Sequence, residues 1–232
     1  MRAVLIPVKN LSRAKQRLAP LLSQADRTAL AMAMMEDVFS AVACVRGLDA
    51  VFVVSNHGPA LERARSLGWE VIRERRQVSE SVSVDRASHY CAARGVRALL
   101  RLPIDIPLLQ SSDVEDVLAA AGPDPASVLV PSRDGTGTNA LLRTPPALFR
   151  SHFGQDSLRK HLAEAAGKGA LACVIRNARI ELDVDDAEDL RALAAWRDLG
   201  GATGCWLRRA GFLTRAMRAG SAGEQQSWGK QG

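Results

Sequence analysis

The sequence predicts an α/β fold: a mainly parallel sheet with helices on both faces. Three observations predict it. Short apolar runs alternate with helical stretches along most of the chain. The 232 residues are 47% hydrophobic, which suits one domain of roughly 200 residues with a sizeable core. Aromatics are only 4%, so Ala, Val and Leu must build that core.

The elements follow in order. Residues 3–8 (Ala3-Val4-Leu5-Ile6-Pro7-Val8) read as the first strand. Residues 27–43 read as a helix, with Asp26 as its N-cap. Residues 50–54 are a β-branched strand, 59–66 a helix and 70–73 a short strand. A helix over 84–94 stops at Gly95, and a strand over 96–102 runs into Pro103. Residues 112–121 form a helix with a Ser112–Glu115 capping pattern, and 127–131 another strand. Asp134-Gly135-Thr136-Gly137-Thr138 is a loop before a short apolar run at 140–142. A helix at 156–167 precedes two strands, 171–175 and 179–182, around a turn at Asn177. A helix over 186–196 closes the domain at about residue 200. Right-handed crossovers put the ligand crevice at the carboxyl ends of the strands.

Residues 201–232 read as a separate basic tail, partly helical or disordered. Trp206, Ala210, Leu213 and Met217 recur at helical spacing, with Gly211 weakening the helix. Arg208, Arg209, Arg215, Arg218 and Lys230 stand against Glu224, so the tail holds most of the net charge of +6. The remainder is only mildly basic, which gives no case for a nucleic-acid partner. No apolar run approaches the ~20 residues of a membrane span, and the start lacks a signal pattern. Cys44, Cys91, Cys173 and Cys205 show no metal or redox spacing, so a reduced, cytoplasmic protein is expected.

Four constellations carry chemistry. Asp105 sits between Pro103 and Pro107 just past a strand, and Asp183 and Asp185 stand two apart at the predicted end of another. Residues i and i+2 of an extended chain share a face, so three carboxylates would converge on one Mg²⁺ beside phosphate oxygens. Helix N-capping is the competing reading for Asp185 or Asp186. The first loop, Lys9-Asn10-Leu11-Ser12-Arg13-Ala14-Lys15-Gln16-Arg17, puts four cations after the first strand, where a triphosphate could bind. It has no glycine, which disfavours P-loop kinases and dinucleotide dehydrogenases. A third set, Ser79 to Asp85, opens a helix. Ser83 lies in it, and a carboxylate at Asp85 could accept from N1–H and N2–H of guanine; a dipole-favoured helix acid is the plainer reading. Fourth, Gly137-Thr138-Asn139 and Phe153-Gly154-Gln155-Asp156-Ser157 could hold a small anion, or could simply cap a helix. His57, His89, His152 and His161 form no triad or zinc pattern. A phosphate nucleophile, already ionised at neutral pH, needs no general base.

Five blocks in order resemble a known family: Ile6-Pro7-Val8-Lys9-Asn10-Leu11 with Ala14-Lys15-Gln16-Arg17-Leu18; Leu102-Pro103-Ile104-Asp105-Ile106-Pro107-Leu108; Gly135-Thr136-Gly137-Thr138-Asn139-Ala140-Leu141; Phe153-Gly154-x-x-Ser157; and Leu182-Asp183-Val184-Asp185. The family is the 2-phospho-L-lactate / phosphoenolpyruvate guanylyltransferases of coenzyme F-420 biosynthesis. The resemblance implies a Rossmann-like nucleotidyltransferase fold of the nucleotide-diphospho-sugar-transferase kind, GTP as co-substrate and Mg²⁺. It implies metal binding at Asp105, Asp183 and Asp185, phosphoacid contacts at Thr138, Gly154 and Ser157, and triphosphate contacts at Lys9 and Lys15, with Lys15 and Asp105 catalytic. It further implies a phosphorylated three-carbon acid as acceptor: phosphoenolpyruvate, 2-phospho-L-lactate or 3-phospho-D-glycerate. A second copy of the chain and the next enzyme of the pathway, receiving a labile product, are its implied protein partners. The family's usual Gly-Leu-Asn run is Ser83-Val84-Asp85 here. The rival readings are a nucleotidyltransferase for another phosphorylated acceptor and a non-catalytic nucleotide-binding protein.

Overall fold

A computed structural model describes residues 1–212. Leu213 and Met217 of the predicted tail helix lie outside the described residues. Among the described residues seven strands form one sheet: β1 Arg2–Val8, β2 Ala50–Ser55, β3 Glu70–Arg73, β4 Ala98–Arg101, β5 Ala126–Pro131, β6 Thr138–Thr144 and β7 Leu171–Val174. Their order is β3-β2-β1-β4-β6-β5-β7, and β6 alone runs against the rest.

Strand β1 shows why helices cover both faces. Its alternate side chains part company. Val4, Ile6 and Val8 join the core under α1 (Gln24–Ala43), α2 (Gly58–Ser66) and α4 (Ser111–Ala119). Ala3 and Leu5 join Val84, Ala87 and Cys91 of α3 (Glu80–Ala92) on the other face. A strand buried on both sides reads as the unbroken apolar run that the sequence displays.

Helix starts shift from the sequence reading because caps are chosen by what the loop delivers. Ser23, not Asp26, caps α1, its Oγ accepting from the Asp26 amide. Gln110 and Asp113 form the capping box of α4, while Glu115 turns away to the Arg46 amide. Helix α3 begins at Glu80 rather than 84, capped by Ser79.

Two departures shape the site. The apolar run at 140–142 is the middle of β6. The turn before it is too short for a crossover, so the chain returns antiparallel. Asp134 holds that turn by accepting from the Thr136 amide and hydroxyl. Gly137 presses against Ser132 so closely that a Cβ would lie 2.6 Å from Oγ. The predicted strand at 179–182 is instead a single helical turn, α6 (Ala178–Glu181). Asn177 caps it, accepting from the amides of Arg179 and Ile180. The buried Asp113 carboxylate then binds both Asn177 and Arg179, which no local propensity encodes.

Helix α7 (Ala187–Ala194) is capped by Asp186. Helix α8 (Gly201–Arg209) packs on α1: Asp37 accepts from the Ala202 and Thr203 amides, and Leu207 is fully buried. The first part of the basic tail is thus attached to the core. Among the described residues no helix is long and apolar enough to cross a membrane.

Candidate active site

A cleft of about 970 Å³ opens at the carboxyl ends of β1 and β4. Its floor on one side is the first loop. Leu11 and Leu18 are buried and anchor that loop through two short 3-10 turns. Between the turns Lys15 is left-handed (φ 52°, ψ 49°), which costs a non-glycine residue on the order of 1 kcal/mol. The conformation directs its ammonium, only 9% exposed, to Asp105 Oδ2 (2.7 Å) and Asp185 Oδ1 (2.8 Å). Burial alone would lower the Lys15 pKa; the two carboxylates outweigh it and raise it. Burial likewise opposes ionisation of Asp105, but Lys15 and then Arg101 hold that carboxyl below its usual range.

The acids meet through an unexpected route. Residues 182–185 belong to no strand or helix, and the Val184 amide donates to the Asp105 carbonyl (2.9 Å). Val184 is buried, whereas its neighbours Asp183 and Asp185 both line the cleft. Asp183 accepts from Asn139 Nδ2 (3.0 Å). Desolvation first, then the charge of Asp105, push its carboxyl up to about 6.

The three acids that the sequence offers to one Mg²⁺ line the same cleft but do not form a closed cage. Among the described residues no group of three His, Cys, Asp or Glu side chains is arranged to hold a metal ion. Lys15 takes the place between Asp105 and Asp185, and Asn139 draws Asp183 aside. The donor chemistry still suits Mg²⁺, a hard cation that takes one or two carboxylates and completes its shell with phosphate oxygens and water. The charge balance points the same way. Among the described residues, eight carboxylates but six Lys or Arg side chains line the cleft, so a polyphosphate would need an accompanying cation there.

Another wall of the cleft is lined by neutral groups. Thr138 opens β6, and Ser157 opens α5 (Ser157–Gly167); their hydroxyls are 3.2 Å apart. Gly154 lies before α5 at φ 116°, a backbone that side chains resist. All three line the cleft, as do Lys9 and Lys15. Lys9 forms a 3.3 Å ion pair with Glu80, and burial followed by Arg101 lowers its pKa.

Two predicted nucleotide contacts lie elsewhere. Asp85 accepts from the Ser151 amide (3.0 Å) and faces Arg143, outside this cleft. Ser83 is buried and donates to Glu74. The cause is the earlier helix start: with α3 beginning at Glu80, Ser79 and Glu80 reach the cleft, and Ser83 and Asp85 fall a turn further along. Sequence reasoning also missed Arg101. It is buried, its guanidinium donates to the Thr138 and Asn139 carbonyls and to Glu80, and it lies 4.1 Å from the Phe153 ring centre. A lone charge in the apolar run Ala98-Leu99-Leu100-Arg101-Leu102 was the available signal.

The guanylyl transferase CofC-like family matches residues 1–226. The chain belongs to this family. The phosphoenolpyruvate guanylyltransferase of Rubrobacter xylanophilus is 35% identical over 190 residues, covering 82% of this chain and 92% of that one. The 2-phospho-L-lactate guanylyltransferase of Methanothermobacter thermautotrophicus is 36% identical over 186 residues, 80% of this chain and 81% of that one. In fold, the chain resembles a nucleotide-diphospho-sugar transferase-like protein of Desulfovibrio desulfuricans, with a TM-score of 0.71 at 17% identity over 93% and 98% of the two chains. This guanylyltransferase family membership makes the chain a nucleotidyltransferase.

Proposed function

We propose that the protein transfers GMP from GTP to a phosphorylated three-carbon acid, in coenzyme F-420 biosynthesis. A phosphate oxygen of the acid attacks the α-phosphorus of GTP. The bond from that phosphorus to the bridging oxygen of the β-phosphate breaks, and pyrophosphate leaves with the electron pair. Thr138, Gly154 and Ser157 hold the acid's phosphate, and Lys9 and Lys15 meet the charge on the triphosphate. The observation that carries the reading is one cleft with two unlike walls. A cation-and-carboxylate set and a small set of hydroxyls and backbone amides line the same cleft.

Asp105 and Asp185, with Asp183 beside them, would hold Mg²⁺. Bound there, it supplies charge neutralisation on phosphate oxygens. Lys15, paired to Asp105 and Asp185, holds the Asp105 carboxyl ionised. Four unpaired cysteines suit a reduced, cytoplasmic setting. The same reading carries two protein partners, a second copy of the chain and the next enzyme of the pathway. Sedimentation and co-elution test these.

The deciding experiment is a pyrophosphate-release assay that crosses GTP, ATP and CTP with phosphoenolpyruvate, 2-phospho-L-lactate and 3-phospho-D-glycerate, with Mg²⁺ and with chelator. Release with GTP and one acid, abolished by chelator, is expected. Release that ignores the acid, or prefers ATP or CTP, would sink the proposal.

A further inference from the structure

His161, on α5, is fully buried and lies outside the cleft lining, yet it is wired to it. Its Nε2 lies 2.8 Å from the His152 amide, which donates to it. A nitrogen that accepts carries no proton, so the ring's hydrogen must sit on Nδ1. Burial first, then the charge of Arg143, lower its pKa to about 3, so the ring is neutral at ordinary pH. Nδ1 lies 3.1 Å from Thr138 Oγ1 and therefore donates to it. Ser157 donates to the same oxygen from 3.2 Å. With two donors on its oxygen, the Thr138 hydroxyl has its lone pairs occupied. With Ser157 as the donor, the Thr138 hydroxyl donates no hydrogen bond among the described residues, and Thr138 lines the cleft.

We infer that His161 is a positioning residue that, locked as the Nδ1–H tautomer by the His152 amide, makes Thr138 an acceptor toward the protein and a donor toward an anionic oxygen in the cleft. With the other tautomer, Nδ1 would be an acceptor and would draw the Thr138 proton inward. Phe153, edge-on to His161 at 5.1 Å, and Phe149 at 6.1 Å shield the ring and hold its plane. Because Thr138 belongs to the proposed acid subsite, the inference rests on the function proposed above and specifies how that subsite recognises its phosphate.

Two variants separate the ring's two nitrogens. His161→Asn places an amide donor near the Nδ1 position, and His161→Gln places an acceptor near the Nε2 position. The readouts are calorimetric binding of phosphoenolpyruvate, 2-phospho-L-lactate and 3-phospho-D-glycerate to the full chain, and KM for the acid and for GTP. Expected is about tenfold weaker acid binding and a matching rise in acid KM for His161→Gln. His161→Asn should stay within about threefold of wild type, and KM for GTP within about twofold in both. In a Thr138→Val background the His161→Gln effect should fall below about twofold, since the hydroxyl it orients is gone. Equal acid affinity in His161→Gln and wild type overturns the positioning role, as does equal loss in both variants with thermal destabilisation. Wild-type protein that binds an acid but releases no pyrophosphate from GTP sinks guanylyl transfer and leaves the positioning role standing. Wild type that binds none of the three acids overturns both.

Discussion

The two walls of the cleft solve the same problem by different physics. The wall of Lys15, Asp105 and Asp185 is ionic: an ammonium is sandwiched between two carboxylates at 2.7 and 2.8 Å. The other wall is a neutral relay from the His152 amide through His161 and Thr138 to Ser157. Charge strengthens with desolvation and acts over several ångströms, so the ionic wall can act on charge that moves during reaction. Neutral hydrogen bonds are weaker and directional, so the relay is suited to recognising where one phosphate sits. The difference teaches that losses on the two walls should appear in different kinetic constants.

The largest effect should come from Asp105→Asn. Turnover is expected to fall by about a hundredfold or more with KM for the acid little changed. A loss confined to acid KM would erase the contrast between the walls. Lys15→Met comes next, with kcat/KM down about tenfold to a hundredfold and a shifted pH profile. Asp105 would lose the cation that holds its pKa down, so the acid limb of the profile should move to higher pH. An unmoved limb would show that Lys15 does not tune that carboxyl. On the neutral wall, Thr138→Val should raise acid KM about tenfold while kcat changes about threefold or less. A kcat collapse there would make Thr138 part of the chemistry rather than recognition.

The smallest effect is one of stability. Asp183 has a folded pKa of about 6, above the 3.8 of an ordinary aspartate, because burial and Asp105 disfavour its charge. A carboxyl whose pKa is raised on folding binds its proton more tightly in the native state. It therefore weakens the fold as pH climbs from about 4 to about 6, and the penalty then persists to neutrality. In chelator-containing buffer, Asp183→Asn should be about 1 kcal/mol more stable than wild type at pH 7.5. That advantage should shrink as pH falls below about 5. A destabilised variant at pH 7.5 would show that the Asn139 contact outweighs the burial of charge.

Much of the ionic wall was legible because chemistry marks it. Asp105 between two prolines and four cations after a strand are unusual enough to stand out. The neutral wall is only half legible: the sequence offers Thr138, Gly154 and Ser157 as an anion site, and all three line the cleft, but no triad or zinc pattern marks His161. Its role depends on a 23-residue separation closed by the β6–α5 packing, and nothing in its neighbours advertises that. Asp85 misled because a shift in the start of α3 rotates which residues face the cleft. The turn at Ala178–Glu181 misled because Asn177 and the distant Asp113, not local propensity, decide it.

The sequence by itself determined the class of fold, the order of most elements and the residue types of the site. Hydrophobic periodicity and strand-end positions are local properties, and they survive folding unchanged. Only the tertiary structure decided that β6 is reversed and inserted between β4 and β5. Only it placed Lys15 between two acids expected to face a metal, and gave a buried histidine a fixed proton. Each of these depends on which groups are left to satisfy one another once water is excluded, and that is settled by contacts between residues far apart in the chain.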